Sequence, residues 1–225
     1  MCAEQKRVVV SWSGGKDAAW ALYRLRQDPG VEVVGLLTTV TTAFERVAMH
    51  GVRIELLRAQ AAAAGLPLHE VGLYWPCSNE RYEDAMRSAV AELHRAWAPT
   101  HVAFGDLFLP DVRAYREERM RGTGLEPLFP LWLAPTRALI DTMLAAGVRT
   151  RIVCLDPAQL PRELAGRELD GDLLDALPDG VDPCGERGEF HTFVSEGPML
   201  GAPVAVSPGN VVEREGFVFA DLLAG

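Results

Sequence analysis

Over roughly its first hundred residues, the chain alternates short apolar runs with segments of helical periodicity. The apolar runs predict four strands, at residues 7–12, 31–39, 68–73 and 101–107. Apolar residues at helical spacing predict three helices between them, at residues 16–27, 52–64 and 78–97. Strands that are apolar on both faces and alternate with helices form parallel sheets that helices cover on both sides. The sequence therefore predicts an α/β fold with a doubly wound, Rossmann-like parallel sheet.

The second half of the chain has a different pattern. It predicts a helix at residues 136–146, a strand at residues 149–155 and further strands around Val204 and Phe217. Several Pro and Gly residues interrupt these segments. We expect a first domain at residues 1–125 and a smaller α+β domain at residues 126–225.

Composition argues against several classes of function. The chain carries 22 basic and 31 acidic side chains, a net charge of −9, whereas proteins that coat nucleic acids or anionic membranes have basic surfaces. No run approaches the roughly 18 apolar residues of a membrane-spanning helix, and the N-terminus lacks a signal-peptide pattern. The four cysteines lack metal-ligand or Cys-x-x-Cys spacing, so Cys77 and Cys184 are interpreted as reduced thiols and no protein metal site is predicted. We expect a cytoplasmic protein that binds neither nucleic acid nor membrane. The sequence allows a homo-oligomer but does not determine the oligomeric state.

The first predicted strand runs through two glycines directly into a helix. Glycines allow a tight turn and a close approach of backbone amides to a ligand, and the start of a helix attracts phosphate. A serine hydroxyl and a lysine charge at the same turn strengthen this interpretation over that of a plain glycine-rich turn in which Asp17 is only a favourable first-turn acid. The spacing is neither that of a Walker A loop nor that of a dinucleotide-binding fingerprint. The candidate phosphate-binding residues are Ser11, Ser13, Gly14, Gly15, Lys16 and Asp17.

Further candidates follow from the carboxyl ends of the other strands, where ligands bind in such sheets. Gly105 and Asp106 end the fourth predicted strand, and Thr38 lies close to the end of the second. The polar segment at residues 38–45, followed by His50, is interpreted either as a flexible lid over a nucleotide or as an ordinary loop.

The turn at residues 13–17 resembles the pyrophosphate loop of the ATP pyrophosphatases, which cleave ATP to AMP and pyrophosphate. Other motifs occur along nearly the whole chain: Met49-His50-Gly51, Gly105-Asp106, Arg113 with Glu117, Pro130-Leu131-Trp132, Gly166-Arg167 and Gly185-Glu186-Arg187-Gly188-Glu189-Phe190-His191-Thr192. Together these motifs resemble those of the diphthine–ammonia ligase family.

The resemblance implies a HUP-type nucleotide-binding fold, ATP and Mg²⁺ as cofactors, and ammonia and a carboxylate, small or protein-borne, as substrates. In the family that carboxylate is diphthine on a translation elongation factor. The resemblance also implies six catalytic residues, namely Lys16, Arg113, Glu117, Glu186, Glu189 and His191. The residues alone leave other interpretations open, because Arg113–Glu117 has the spacing of a surface ion pair, His191 suits a core position and both glutamates suit a turn.

Two positions depart from the family's pattern. Ala18 stands where the family commonly has serine, which removes one possible hydroxyl contact to phosphate, and Met120 stands where it commonly has cysteine. Two rival functions stay open. One is another reaction of the ATP pyrophosphatases, such as sulfur transfer onto tRNA, which the acidic charge argues against. The other is a nucleotide-binding sensor without ligase activity.

Overall fold

The order of elements follows the predicted alternation. The structure is a computed structural model that describes residues 5–43, 46–47 and 51–225. Within these ranges the elements are β1 (Lys6–Ser11), α1 (Lys16–Arg26), β2 (Val31–Thr41), β3 (Arg46–Val47), α2 (Ile54–Ala64), β4 (Leu68–Leu73), α3 (Asn79–Trp97), β5 (His101–Ala103), α4 (Pro110–Met120), β6 (Glu126–Leu128), α5 (Thr136–Ala145), β7 (Arg149–Leu155), α6 (Gly171–Asp175), β8 (Phe190–Glu196), β9 (Val206–Arg214) and β10 (Phe217–Ala224).

Five strands form a parallel sheet in the order β4-β2-β1-β5-β6. β1 is central, and its residues Val8, Val9 and Val10 are fully buried, as expected for a strand whose faces are both covered. This arrangement confirms the predicted doubly wound α/β fold. It brings the carboxyl ends of β1 and β5 side by side at one edge of the sheet, where a ligand would bind.

The segment interpreted as a lid is different in the structure. Thr38 lies within β2, paired with Glu70 of β4, and the strand continues to Thr41. Val40 and Thr41 pair with β4 on one edge and with β3 on the other. Residues 38–41 all belong to β2, so they are neither a lid nor a loop, and that prediction is wrong for them. Residues 44–45 and His50 lie outside the described residues.

The strand predicted at residues 101–107 is shorter, because β5 ends at Ala103. The chain then crosses the start of α1 at Gly105, where a Cβ would lie 2.8 Å from the carbonyl carbon of Asp17. The predicted strand therefore becomes a loop that packs against the helix. The close approach explains why this position is a glycine.

A second sheet is antiparallel, in the order β8-β7-β10-β9. One continuous cluster of buried apolar side chains includes Val10 of β1, Leu22 of α1 and Phe193 of β8. The second sheet thus packs against α1, and the turn that precedes α1 lies between the two sheets. The domain boundary predicted near residue 125 falls directly before β6, which still belongs to the parallel sheet; the boundary itself stays a prediction.

Among the described residues, no helix is both long and apolar enough to cross a membrane.

Candidate active site

The backbone between β1 and α1 makes a turn that only glycine fits. Gly14 has φ +80°, in the left-handed region. A Cβ on Gly15 would lie 3.1 Å from the carbonyl oxygen of Thr192 on β8. Gly15 is the N-cap of α1 and has no side chain to cap the helix, and the amide of Lys16, the first helical residue, donates to the Thr192 hydroxyl at 3.1 Å. The second sheet therefore contributes directly to the geometry of the turn.

Gln60 of α2 is fully buried and hydrogen-bonds to this turn. Its Nε2 donates to the carbonyl oxygens of Gly14, at 3.0 Å, and Val194, at 2.6 Å. Its Oε1 accepts from the indole N–H of Trp12 at 3.1 Å. One amide side chain thus joins the end of β1, the turn and β8.

Lys16 points inward from the first turn of α1, with 2% of its side chain exposed. Its Nζ donates to Asp17 Oδ2 at 2.8 Å and to the carbonyl of Cys184, and it lies 5.5 Å from the centre of the Phe190 ring. Burial alone would lower the pKa of Lys16, but the negative charge of Asp17 and the hydrogen bond to it outweigh this effect and raise the pKa. The ammonium group is therefore charged at neutral pH.

Asp17 uses only part of its hydrogen-bonding capacity. Its Oδ2 accepts from Lys16, whereas Oδ1 is buried without a hydrogen-bond partner among the described residues. Burial raises the pKa of this carboxyl group, and the charge of Lys16 offsets part of that rise. An unpartnered buried carboxylate oxygen is costly in an isolated protein, so a cation or a donor from a ligand fits this atom.

A cavity of about 260 Å³ opens beside the turn. The glycine turn and the start of α1 form part of its wall, and these elements suit the phosphate part of a nucleotide. The cavity brings together nine predicted site residues, namely Ser11, Ser13, Gly15, Lys16, Asp17, Gly105, Asp106, Glu186 and His191. Its other lining residues are Ala18, Phe104, Arg116, Cys184, Gly185, Gly188, Phe190 and Thr192.

Two titratable groups of the wall have shifted pKa values. Burial raises the pKa of Glu186 to about 7, although its Oε1 accepts from the Leu107 amide at 2.7 Å. Burial, together with the nearby charge of Lys16, lowers the pKa of His191 to about 4. At neutral pH the imidazole is therefore neutral, and Glu186 exists in both protonation states. Burial also raises the pKa of the Cys184 thiol to about 12, so this thiol is unreactive.

Glu189, a predicted catalytic residue, does not line the cavity. It is fully buried, and its two carboxylate oxygens accept from the amides of Asp182 and Arg187, each at 2.8 Å. The carboxylate thus lies inside the loop before β8 rather than on the cavity wall. Its contacts fix the path of the loop that carries Cys184 and Glu186.

Arg113 and Glu117 are also outside the cavity wall. They form an i,i+4 pair on α4 at 2.8 Å, and the Arg113 guanidinium lies 4.7 Å from the Phe129 ring and 4.8 Å from the Trp132 ring. The residue of α4 that reaches the cavity is Arg116, which pairs with Asp106 at 3.4 Å. The sequence predicts an arginine of this charged helix in the site. Which arginine lines the cavity depends on the face that α4 turns toward it.

Thr38 is buried, and its Oγ1 has no hydrogen-bond partner among the described residues. It lies beyond the point where β1 stops pairing with β2 and does not line the cavity. A place in the nucleotide site stays a prediction for Thr38, and likewise for His50, which the structure does not describe.

Sequence reasoning missed Gln60, Thr192 and Arg116 as site residues. The sequence does contain an indication for Gln60. It lies within the buried apolar face of α2, which includes Leu57 and Ala61. A polar residue on such a face indicates a buried hydrogen-bonding role. Thr192 and Arg116 depend on tertiary contacts that no local spacing encodes.

At pH 7.5 we expect the Glu186→Gln variant to be more stable than the wild type. The folded chain raises the pKa of Glu186 to about 7, whereas an unfolded glutamate titrates near ~4.3. Ionisation therefore costs the folded wild type stability as the pH rises from about 4 to about 7, by on the order of 1 kcal/mol at a half-buried site. Urea denaturation at pH 4 and 7.5 measures the difference, which should vanish at the lower pH. An equal difference at both values would contradict the raised pKa.

Comparison with known proteins covers both parts of the chain. Residues 6–127 match the family model described as the diphthamide synthase N-terminal domain, and residues 135–219 match the diphthamide synthase C-terminal domain. The diphthine–ammonia ligase of Bos taurus is 25% identical, and that of Homo sapiens 24%, each over 95% of this chain and 88% of the relative. The chain therefore belongs to the diphthamide synthase family and is an ATP-dependent carbon–nitrogen ligase.

Proposed function

We propose that this chain uses ATP to adenylate a carboxylate and then transfers ammonia to it, forming an amide with release of AMP and pyrophosphate. The observation that carries the proposal is the buried, charged Lys16 at the glycine turn, in the wall of the cavity. A preorganised positive charge next to helix N-terminal amides stabilises the negative charge that develops on transferring phosphates.

The residues of the cavity fit a nucleotide and its metal ion. The turn at residues 13–17 would hold the phosphates, with hydroxyls from Ser11 and Ser13 at the cavity wall. The unpartnered Oδ1 of Asp17 and the carboxylate of Asp106 would hold Mg²⁺. When bound, the ion neutralises phosphate charge and orients the oxygens.

The first step forms a bond between a substrate carboxylate oxygen and the α-phosphorus, and the bond from that phosphorus to the pyrophosphate oxygen breaks. In the second step the nitrogen of ammonia attacks the acyl carbon, and the carbon–oxygen bond to AMP breaks. The proton that the nitrogen loses passes to a base. Glu186 suits this task, because it lines the cavity and its pKa of about 7 lets it accept a proton near neutral pH.

The other predicted catalytic residues take supporting roles in this proposal. The neutral His191 donates or accepts a hydrogen bond at the wall. Glu189 fixes the loop that presents Glu186. Arg113 and Glu117 keep α4 against Phe129 and Trp132, and so position Arg116 at the cavity.

For the substrate we propose a diphthine-like carboxylate, small or protein-borne, as the relatives' printed name suggests. A product assay tests the whole proposal. The protein is incubated with Mg-ATP, ammonium chloride and a panel of carboxylates that includes diphthine on its elongation factor. We expect AMP and pyrophosphate in equal amounts, formed only with the right carboxylate. Formation of ADP and phosphate, or ATP binding without substrate-dependent pyrophosphate release, would contradict the proposal.

A further inference from the structure

Thr192 occupies an unusual position for a strand residue of the second sheet. It lies on β8, only 2% of it is exposed to solvent, and it still lines the cavity beside the turn. Its Oγ1 accepts from the backbone amide of Lys16 at 3.1 Å. A buried hydroxyl from one sheet thus lies at the first turn of a helix that packs on the other.

The hydroxyl has a donor left to use. A threonine hydroxyl carries one hydrogen and two lone pairs, and the bond from Lys16 occupies only a lone pair. Among the described residues, the hydroxyl hydrogen of Thr192 has no acceptor. A buried donor without an acceptor is uncommon, so an acceptor supplied by a ligand in the cavity fits this group.

The position of β8 is fixed to the turn. Val194 N donates to the carbonyl oxygen of Gly14 at 2.9 Å, and Gln60 bonds both Gly14 and Val194. The backbone of Gly15 passes so close that a Cβ there would lie 3.6 Å from Thr192 Oγ1. These contacts hold the hydroxyl next to the backbone of Gly15 and Lys16.

The first turn of α1 has no hydroxyl at residue 18. Ala18 lines the cavity in the first turn of α1, where a serine would add a donor. Thr192 presents a hydroxyl to the same cavity from β8.

We propose that Thr192 is a phosphate-binding residue, whose hydroxyl accepts from the Lys16 amide and donates to a phosphate oxygen of the nucleotide. The second sheet then contributes a residue to the nucleotide site. This inference rests on the proposed function, because it requires a nucleotide phosphate at the turn.

Isothermal titration of Thr192→Val tests the inference, because valine keeps the branched shape of threonine and removes the hydroxyl. The dissociation constants are measured for Mg-ATP, inorganic pyrophosphate and adenosine, together with the melting temperature without ligand. We expect the Kd for ATP and for pyrophosphate to rise by roughly tenfold to a hundredfold, the range of a hydrogen bond to a charged group. The Kd for adenosine should stay unchanged, and Thr192→Ser should restore ATP binding.

Thr150→Val is the matched control. Thr150 lies on β7, is fully buried, and donates from its hydroxyl to the Phe193 carbonyl on β8 at 3.0 Å, but it does not line the cavity. Its loss should lower the melting temperature and leave the Kd for ATP unchanged.

The outcomes separate the inference from the proposed function. If the wild type binds ATP and Thr192→Val binds it equally well, the inference is wrong and the proposed function is unaffected. Weakening of ATP and adenosine to the same extent assigns Thr192 only to capping the helix, and also overturns the inference. A wild type that binds neither ATP nor pyrophosphate removes the proposed function, and the inference with it.

Discussion

Replacing Lys16 with methionine is expected to lower kcat/KM for substrate-dependent pyrophosphate exchange by about a hundredfold to a thousandfold, as when one preorganised donor is lost at a developing negative charge. Methionine fills much of the space of the lysine stem but removes the charge beside the cavity. It also leaves the Cys184 carbonyl and Asp17 Oδ2 without the donor that bonds them now. Radioactive pyrophosphate exchange into ATP measures the adenylation step directly.

The chain offers a matched control for this variant, because it has only one other lysine. Lys6 is exposed at the start of β1. Lys6→Met makes the same chemical change without altering the cavity, and its exchange rate should equal that of the wild type. Equal rates for Lys16→Met and Lys6→Met would remove the turn from the mechanism.

Lys16→Arg separates charge from shape. Arginine keeps the positive charge, but its planar fork needs more room than a single ammonium group. At a position with 2% exposure, packed against Phe190, the fork does not fit without displacing the ring or the loop at Cys184. We therefore expect only partial activity from Lys16→Arg.

The parts of the site that the sequence predicts are those fixed by neighbouring residues. The turn at residues 13–17 follows from glycines between a strand and a helix, and Gly105 follows from the rule that ligands bind where parallel strands end. In both places the local backbone determines which atoms meet. The structure accordingly brings Gly15, Lys16, Asp17, Gly105 and Asp106 to one cavity.

The parts that the sequence does not predict depend on how distant segments pack. His191 and Thr192 reach the turn only because β8 pairs with β7 and lies against α1. Whether Glu186 or Glu189 faces the cavity depends on the loop path, which Glu189 itself fixes through two amides. Arg113 and Arg116 differ by three positions on one helix, and the aromatic side chains under α4 decide which of them enters the cavity.

The strand β2 shows the same limit in a different way. The threonines at residues 38, 39 and 41 are polar, which is compatible with a loop, and also β-branched, which favours a strand. Pairing with β4, and at Thr41 also with β3, decides in favour of the strand. Local polarity alone does not reveal those partners.

Replacing Gln60 with leucine is expected to lower the free energy of unfolding by about 2–5 kcal/mol. Leucine can make none of the three hydrogen bonds of Gln60, and it leaves the indole N–H of Trp12 and the carbonyl of Val194 buried without these partners. Each unsatisfied buried group costs about 1–3 kcal/mol. Urea denaturation measures the change, and Gln159→Leu is the control, because Gln159 is exposed and makes one hydrogen bond to Asp156.

The same variant should also raise KM for ATP more than it lowers kcat. The carbonyl of Gly14 would keep its bond from Val194 N but lose the bond from Gln60, so the glycine turn would be less firmly held before the nucleotide binds. Binding would then have to order the turn, and that cost appears in the affinity. A Gln60→Leu variant with wild-type stability and unchanged KM would show that the turn holds its shape without α2, and that the contact between the two sheets at Val194 is sufficient by itself.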